Sequence, residues 1–321
     1  MRDMRRLLPM VAMLWTLCPP LAAQETPSLD PAVPPALVRT GPPAEDRVTI
    51  PIHIGGKGPW NFIIDTGSQR TVISRELADR LALPVRDPVT VLSMTDRLQT
   101  GTVALSTLGF GDSQVRDIEA PVLDGAHLGA PGLLGLDSLQ SKRLLLDFRR
   151  GRMEISESKS RYARDPDTIV VEARRKNGQL ILLDSDVNGM AVNIVLDTGT
   201  NFSVGNMALM NKLIRKKRAP QLEQATLTSV TGGTLVGQVG KIREVHLGRV
   251  TLRDLPLLFA DATPFAELGL ADRPALLLGI NALKGFDRVA IDFGRGRVDF
   301  LLPDMGWLEK SRFAAAATPA G

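Results

Sequence analysis

Four short blocks recur in this sequence, in the same order and at nearly the same spacing, and this duplication restricts the fold more than any other feature. The first block is a pair of apolar runs around a turn. Val48-Thr49-Ile50-Pro51-Ile52-His53-Ile54 and Trp60-Asn61-Phe62-Ile63-Ile64 flank Gly55-Gly56-Lys57-Gly58. Its second copy sets Ile181-Leu182-Leu183 and Val192-Asn193-Ile194-Val195-Leu196 around Val187-Asn188-Gly189. β-Rich residues about a Gly or Asn-Gly turn predict a hairpin. Each hairpin runs into the second block, Asp65-Thr66-Gly67 or Asp197-Thr198-Gly199, and Gly56 and Asn188 each lie nine residues before their Asp. The third block is Leu133-Leu134-Gly135-Leu136-Asp137 and Leu277-Leu278-Gly279-Ile280-Asn281, with its glycine 70 residues beyond Asp65 and 82 beyond Asp197. In the fourth, Asp147-Phe148 and Asp292-Phe293 follow those glycines by 12 and 13 residues. Four ordered repeats mark two copies of one structural unit.

The copies define lobes at residues 46–156 and 168–303, joined by a polar connector at 157–167. Aromatics are scarce and Leu, Val, Ile and Gly carry the apolar content, a balance that suits many short strands and tight turns. Short helices are expected at most over 76–83, 133–139 and 209–214, and Gly111, Gly125 and Gly248 read as turns between strands. Asp147 and Asp292 read as turn or strand-edge residues of a hairpin. The Gly55–58 stretch is a turn and not a phosphate loop, because it lacks the Lys-Ser/Thr ending and a following helix.

The first 23 residues carry Arg2, Arg5 and Arg6, then an apolar run from Leu7 to Cys18, then Leu21-Ala22-Ala23. That order predicts a cleavable export signal and a periplasmic or secreted protein, with no stable membrane insertion afterwards. Cleavage after Ala23 removes the single cysteine, so neither disulfide nor thiol chemistry is expected. Residues 24–45 are Pro-rich and read as a flexible lead, and 304–321 as a tail. The net charge of +4 falls to +2 on cleavage. The densest basic run (Lys212, Arg215, Lys216, Lys217, Arg218) reads as a solvated helix end, so no nucleic-acid partner is expected.

The paired Asp residues suggest a specific chemistry. Two carboxyls a few ångströms apart cannot comfortably both ionise, so the pair holds one proton. The ionised member can take a proton from water while the protonated one donates to a carbonyl oxygen. Amide hydrolysis then needs no metal, thiol or serine. Gly67 and Gly199 allow tight turns that bring an amide to each carboxylate. The hydroxyls of Ser68 and Thr200 are expected to donate to the outer carboxylate oxygens, and Thr66 and Thr198 to bridge the two loops.

Asp65-Thr66-Gly67-Ser68 and Asp197-Thr198-Gly199-Thr200 resemble the two catalytic loops of pepsin-like and retropepsin-like aspartic proteases. Leu134-Gly135 and Leu278-Gly279 resemble the hydrophobic-Gly element that packs behind each loop in that clan. Lobe length makes the chain similar to two fused retropepsin-like domains, the form found in exported bacterial proteins. The resemblance implies an all-β chain in a bilobal acid-protease fold, with two pseudo-symmetric closed β-barrel lobes and the active site between them. It implies an aspartic endopeptidase acting on peptide or protein through an Asp65/Asp197 dyad, without cofactor, under hairpin flaps. By position the flaps fall near residues 93–102 and 229–240. Thr231, Gly232 and Gly233 suit a mobile tip, whereas the first flap has Met94, Asp96 and Arg97 where glycines are expected, and the only tyrosine, Tyr162, lies in the connector.

His53, His127 and His246 occupy no matching repeat positions, so no metal site is expected. No Gly-x-Ser-x-Gly elbow is present. Two other functions fit the same residues: a peptide-binding or scaffold protein that retains the fold, and a homodimer pairing like lobes between chains. Intact motifs in both copies disfavour the first, and the short connector favours pairing within a monomer.

Overall fold

The structure is a computed structural model that describes residues 28–29, 47–111, 113–159 and 165–303. The export signal at 1–23, most of the lead, Tyr162 and the tail at 304–321 lie outside the described residues.

In the first lobe, Thr49–Ile54 and Lys57–Ile64 form the expected hairpin. Ile50, Ile52 and Ile54 alternate inward along the first strand, as a two-residue period requires. Lys57–Ile64 continues parallel to Gly132–Leu134, followed by Val72–Ser74, Ser113–Leu123 and Arg97–Phe110. Leu108 and Gly109 return to Ile54 and His53 and close a six-stranded barrel. Closure leaves no edge within the barrel to pair with another chain. Arg86–Leu92 extends from Arg97–Phe110 as a projecting hairpin.

The second lobe repeats this order. Asn193–Leu196 runs parallel to Ala275–Leu278, then come Ser203–Gly205, Val250–Phe259 and Thr234–Leu247, with Leu222–Thr228 as the projecting strand. One strand of the first lobe is here two, Gln179–Leu182 and Ser185–Val187. The break falls at Asp184, which takes φ 51°, a left-handed conformation that a short polar side chain tolerates. Within the lead, Ser28–Leu29 pair in parallel with Thr251 and Leu252. Ser203–Gly205 covers that edge only from Leu257 to Phe259, which leaves backbone groups open at Thr251 and Leu252.

The two lobes are joined by a shared antiparallel sheet. Lys142–Asp147 of the first pairs with Arg288–Asp292 of the second, Leu144 opposite Ile291 and Leu146 opposite Val289. Arg152–Glu157 and Arg297–Leu301 flank the pair. These four apolar side chains are buried in a core continuous with Phe62 in one lobe and Phe259 in the other. Each contributes about 1.5–3 kcal/mol, so the shared sheet holds the two lobes together. Asp147 and Asp292 end the central strands and accept the amides of Arg150 and Arg295 at 3.0 and 2.9 Å, closing equivalent turns.

The helices begin at caps. Ser74 and Asn206 accept the amides of Leu77 and Leu209, starting Arg75–Arg80 and Met207–Arg215 slightly ahead of the apolar residues that predict them. The helix expected at 133–139 is instead the barrel strand Gly132–Leu134 and one 3-10 turn, Leu136–Ser138, because Leu133 and Leu134 pair with Ile63 and Ile64. Gly125 opens a one-turn helix, Gly125–Leu128, capped by Asp124, where a turn was expected.

Candidate active site

The hairpins deliver Asp65 and Asp197 to the ends of buried strands on either side of the pseudo-twofold axis. The Asp65 amide donates to Leu134 O at 3.0 Å and the Asp197 amide to Leu278 O at 3.1 Å. Leu136 N reaches Ser68 O and Ile280 N reaches Thr200 O, at 2.9 and 3.0 Å, so each loop rests on its Leu-Gly element by the same two bonds. Gly135 and Gly279 have to be glycines: a Cβ on Gly279 would lie 2.8 Å from the backbone of Phe202, and one on Gly135 would strike the backbone of Arg70.

Thr66 and Thr198 lock the loops to each other. Thr66 Oγ1 donates to Leu196 O at 3.0 Å and accepts from Thr198 N at 3.0 Å. Thr198 Oγ1 donates to Ile64 O at 2.7 Å and accepts from Thr66 N at 3.2 Å. Both threonines are buried, so the bonds are not contested by water. Each carboxyl lies against the opposite loop's glycine. A Cβ on Gly67 would sit 2.6 Å from Asp197 Cγ, and one on Gly199 would press still harder on Asp65.

The amides of Gly67 and Ser68 both donate to Asp65 Oδ1 at 2.9 Å, and Gly199 N donates to Asp197 Oδ1 at 3.0 Å. The side-chain hydroxyls do not reach the carboxylates as expected. Ser68 Oγ donates to Arg70 O at 2.7 Å and Thr200 Oγ1 to Phe202 O at 3.0 Å. Backbone amides already hold the carboxyls, and the hydroxyls instead close the turn that follows.

Removal from water raises both carboxyls. Asp197 is pushed up to about 8, by burial first and then by the charge of Asp65, against the amides of Gly199 and Thr200. Asp65 is also raised by burial, against the Gly67 and Ser68 amides and the Arg47 guanidinium. The two carboxyls interact directly, so they titrate as a pair that retains a proton well above the usual carboxylate range.

Behind the loops lies a second symmetric layer that the motifs did not reveal. Thr71 Oγ1 accepts from Gly135 N at 3.2 Å and donates to Asp137 Oδ1 at 2.6 Å. Ser203 Oγ accepts from Gly279 N at 3.0 Å and donates to Asn281 Oδ1 at 2.7 Å. A signal was present: Thr71 and Ser203 both lie six residues after their Asp, and Asp137 and Asn281 two after their Gly.

The projecting hairpins meet over the loops. Their tips, residues 93–96 and 229–233, are closed by Ser93 N to Asp96 O and Ser229 N to Gly233 O, at 3.0 and 2.8 Å. The tips bond to each other, Thr95 Oγ1 to Ser229 Oγ at 3.1 Å and Thr231 Oγ1 to Asp96 Oδ1 at 2.8 Å. Ser93 also donates to Asp96 Oδ1. The first tip needs no glycine because none of its four residues takes a positive φ. Gly232 does, at 84°, and it packs on the His127 ring. A cleft of about 190 Å³ opens below the first hairpin, walled by Ser68, Arg70 and Val91 on one side and by Gln179, Pro264 and Glu267 on the other.

Two β-barrel lobes sharing a joining sheet, with paired Asp-Thr-Gly loops at their junction under two hairpins, define a bilobal acid-protease fold. The profile described as Aspartyl protease matches residues 50–138 and 183–282, together more than half of the chain, one match in each lobe. The chain therefore belongs to the aspartyl protease family, in a form with two fused retropepsin-like lobes. A comparison with curated proteins found no match.

Proposed function

We propose that this protein is an aspartic endopeptidase in which Asp65 and Asp197 share one proton and activate water. The observation that carries the reading is the reciprocal threonine lock, which fixes the two carboxyls against opposite glycines. In the first step the ionised carboxyl takes a proton from water as its oxygen bonds to the scissile carbonyl carbon. The protonated carboxyl gives its proton to the carbonyl oxygen, forming a gem-diol. In the second step the first carboxyl passes its proton to the amide nitrogen, the C–N bond breaks, and the other carboxyl recovers a proton from the gem-diol. The pair ends with the single proton it began with. Thr66, Gly67, Ser68, Thr198, Gly199 and Thr200 hold the pair, Leu134, Gly135, Leu278 and Gly279 support the loops, and Thr231, Gly232 and Gly233 belong to a flap that covers an extended peptide.

Pairing of the lobes within one chain supports a monomer as the working unit, and the N-terminal residues support export to the periplasm or beyond. The test is cleavage of a mixture of unstructured peptides from acid to neutral pH by wild type, Asp65→Asn and Asp197→Asn. Wild type is expected to cut and each substitution alone to abolish cutting, since the pair acts as a unit. Full activity in either single variant would refute the dyad. Wild type inactive at every pH would leave a peptide-binding protein. Activity restored by mixing the two variants would place the lobe pairing between chains.

A further inference from the structure

The first catalytic loop is held from the other lobe as well as from its own. Gln179, at the start of the strand Gln179–Leu182, crosses the junction and donates Nε2 to Gly67 O at 2.6 Å. The carbonyl of Gly67 and the N–H of Ser68 belong to one planar trans peptide group, in which oxygen and hydrogen point opposite ways. That hydrogen goes to the carboxyl: Ser68 N donates to Asp65 Oδ1 at 2.9 Å, alongside Gly67 N at 2.9 Å. A donor fixed on the oxygen therefore fixes the direction of the N–H, and by polarising the peptide it strengthens the bond to the carboxylate. The line runs from a side chain of the second lobe, through one peptide group, to a carboxyl of the first.

Packing does not account for a glutamine at this position. Gln179 is only 4% exposed, and its Oε1 is buried without a hydrogen-bond donor among the described residues. An orphaned buried acceptor costs stability that an apolar side chain of the same length avoids. What the glutamine alone supplies is the Nε2 bond. The clamp is also one-sided. Gln179 lies 18 residues before Asp197, and the position 18 before Asp65 is Arg47, whose guanidinium donates to Leu128 O at 2.9 Å.

We propose that Gln179 is a positioning residue that clamps the Gly67–Ser68 peptide and so aims the Ser68 N–H at Asp65. Its consequence for turnover rests on the aspartic-endopeptidase reading. An N–H held on Asp65 Oδ1 favours the ionised carboxyl, so the clamp keeps Asp65 ready to take a proton from water. The charged groups around the loop have other partners: Arg47 is bonded to Leu128 O, Arg70 pairs with Glu119, Glu267 pairs with Arg97, and Asp137 accepts from Thr71. Asp197 is the other member of the pair and accepts from Gly199 N. The side-chain contact to the Gly67–Ser68 peptide is made by Gln179.

The test compares wild type with Gln179→Met, which keeps the length and removes the donor, and Gln179→Asn, which keeps the amide and falls short of Gly67. The readouts are the Ser68 amide proton shift, the ¹³C titration of the Asp65 and Asp197 carboxyls, the melting temperature, and kcat and KM for a cleaved peptide. Both variants should move the Ser68 proton upfield and raise the first titration step by about half to one pH unit. In both, kcat should fall about tenfold while KM changes by less than about threefold. Gln179→Met should melt no lower than wild type, since it also removes the orphaned Oε1. An unmoved Ser68 proton or an unmoved first step in both variants would overturn the proposal. So would a melting temperature of Gln179→Met that falls in step with kcat, which would make Gln179 a structural residue. A rise in KM alone would overturn it too, by making Gln179 a contact for the peptide. The amide shift and the titration need no cleavage, so a failure of the endopeptidase reading stays distinguishable from a failure of the clamp.

Discussion

Replacing Thr198 with Val tests the lock between the loops with little change of shape. Thr198 is fully buried, and Val keeps its branching while removing one hydroxyl. That hydroxyl serves two partners in the other lobe, accepting from Thr66 N and donating to Ile64 O. Its loss leaves a donor and an acceptor without those bonds in a site that water does not reach, at about 1–3 kcal/mol each. The expected destabilisation is therefore about 2–6 kcal/mol, set against a total of about 5–15 kcal/mol for a protein of ordinary stability. Thr198→Ser retains both bonds and loses one methyl, at about 1 kcal/mol. Urea unfolding with the slope held common should place Thr198→Val well below Thr198→Ser. Thr66→Val should fall in the same range, and the double variant should lose less than the sum, because the two hydroxyls join the same loops. A Thr198→Val midpoint within about 0.5 kcal/mol of Thr198→Ser would show that the lock contributes specificity of position and not stability, and would refute the reasoning.

Gly199→Ala drives a methyl into the Asp65 carboxyl and should lower kcat by about 100-fold or more, with circular dichroism unchanged; near-normal kcat would mean the loop yields freely. Asp197 is raised when folded, so the folded state binds the extra proton. Stability is fully present below about pH 4, where unfolded Asp is also protonated, and falls as pH rises towards 8. Asp197→Asn should thus melt higher than wild type at pH 7 and show no such gain at pH 3, and an equal difference at both would refute the linkage. Asp96 is held below its ordinary value by hydrogen bonds from Ser93 first, then Thr231 and Thr95, so the bonded flap tips are fully favoured above the ordinary carboxylate value and lose that support as pH falls from there through the lowered one. Spin labels on the two hairpins should show a wider tip-to-tip distance in Asp96→Ala at neutral pH, and an unchanged distribution would remove Asp96 from the latch.

Much of the site was legible because its signals are local and duplicated. The turn at Gly55-Gly56, the inward alternation of Ile50, Ile52 and Ile54, and the Asp-Thr-Gly loops depend on backbone preferences and periodicity within a few residues. Seeing each twice separated them from ordinary turns. Gly135 and Gly279 were legible for the same reason, although what they approach, the backbones of Arg70 and Phe202, was not. The helix expected over 133–139 failed because an apolar run of that length suits strand or helix, and only pairing with Ile63 and Ile64 decides.

By itself the sequence determined the duplication, the hairpins leading into Asp65 and Asp197, and the residue types a proton-sharing pair requires. Tertiary structure alone decided which groups those residues meet. It gave the carboxyls to backbone amides and turned the Ser68 and Thr200 hydroxyls away. It set Leu144 against Ile291, 147 positions along the chain, and so held the two lobes together. It carried Gln179 across the junction to donate to Gly67 O of the other lobe's loop. The physical reason is range. Turn and strand preferences act over a few bonds, whereas hydrogen bonds, burial and charge act between groups that only the closed fold brings together.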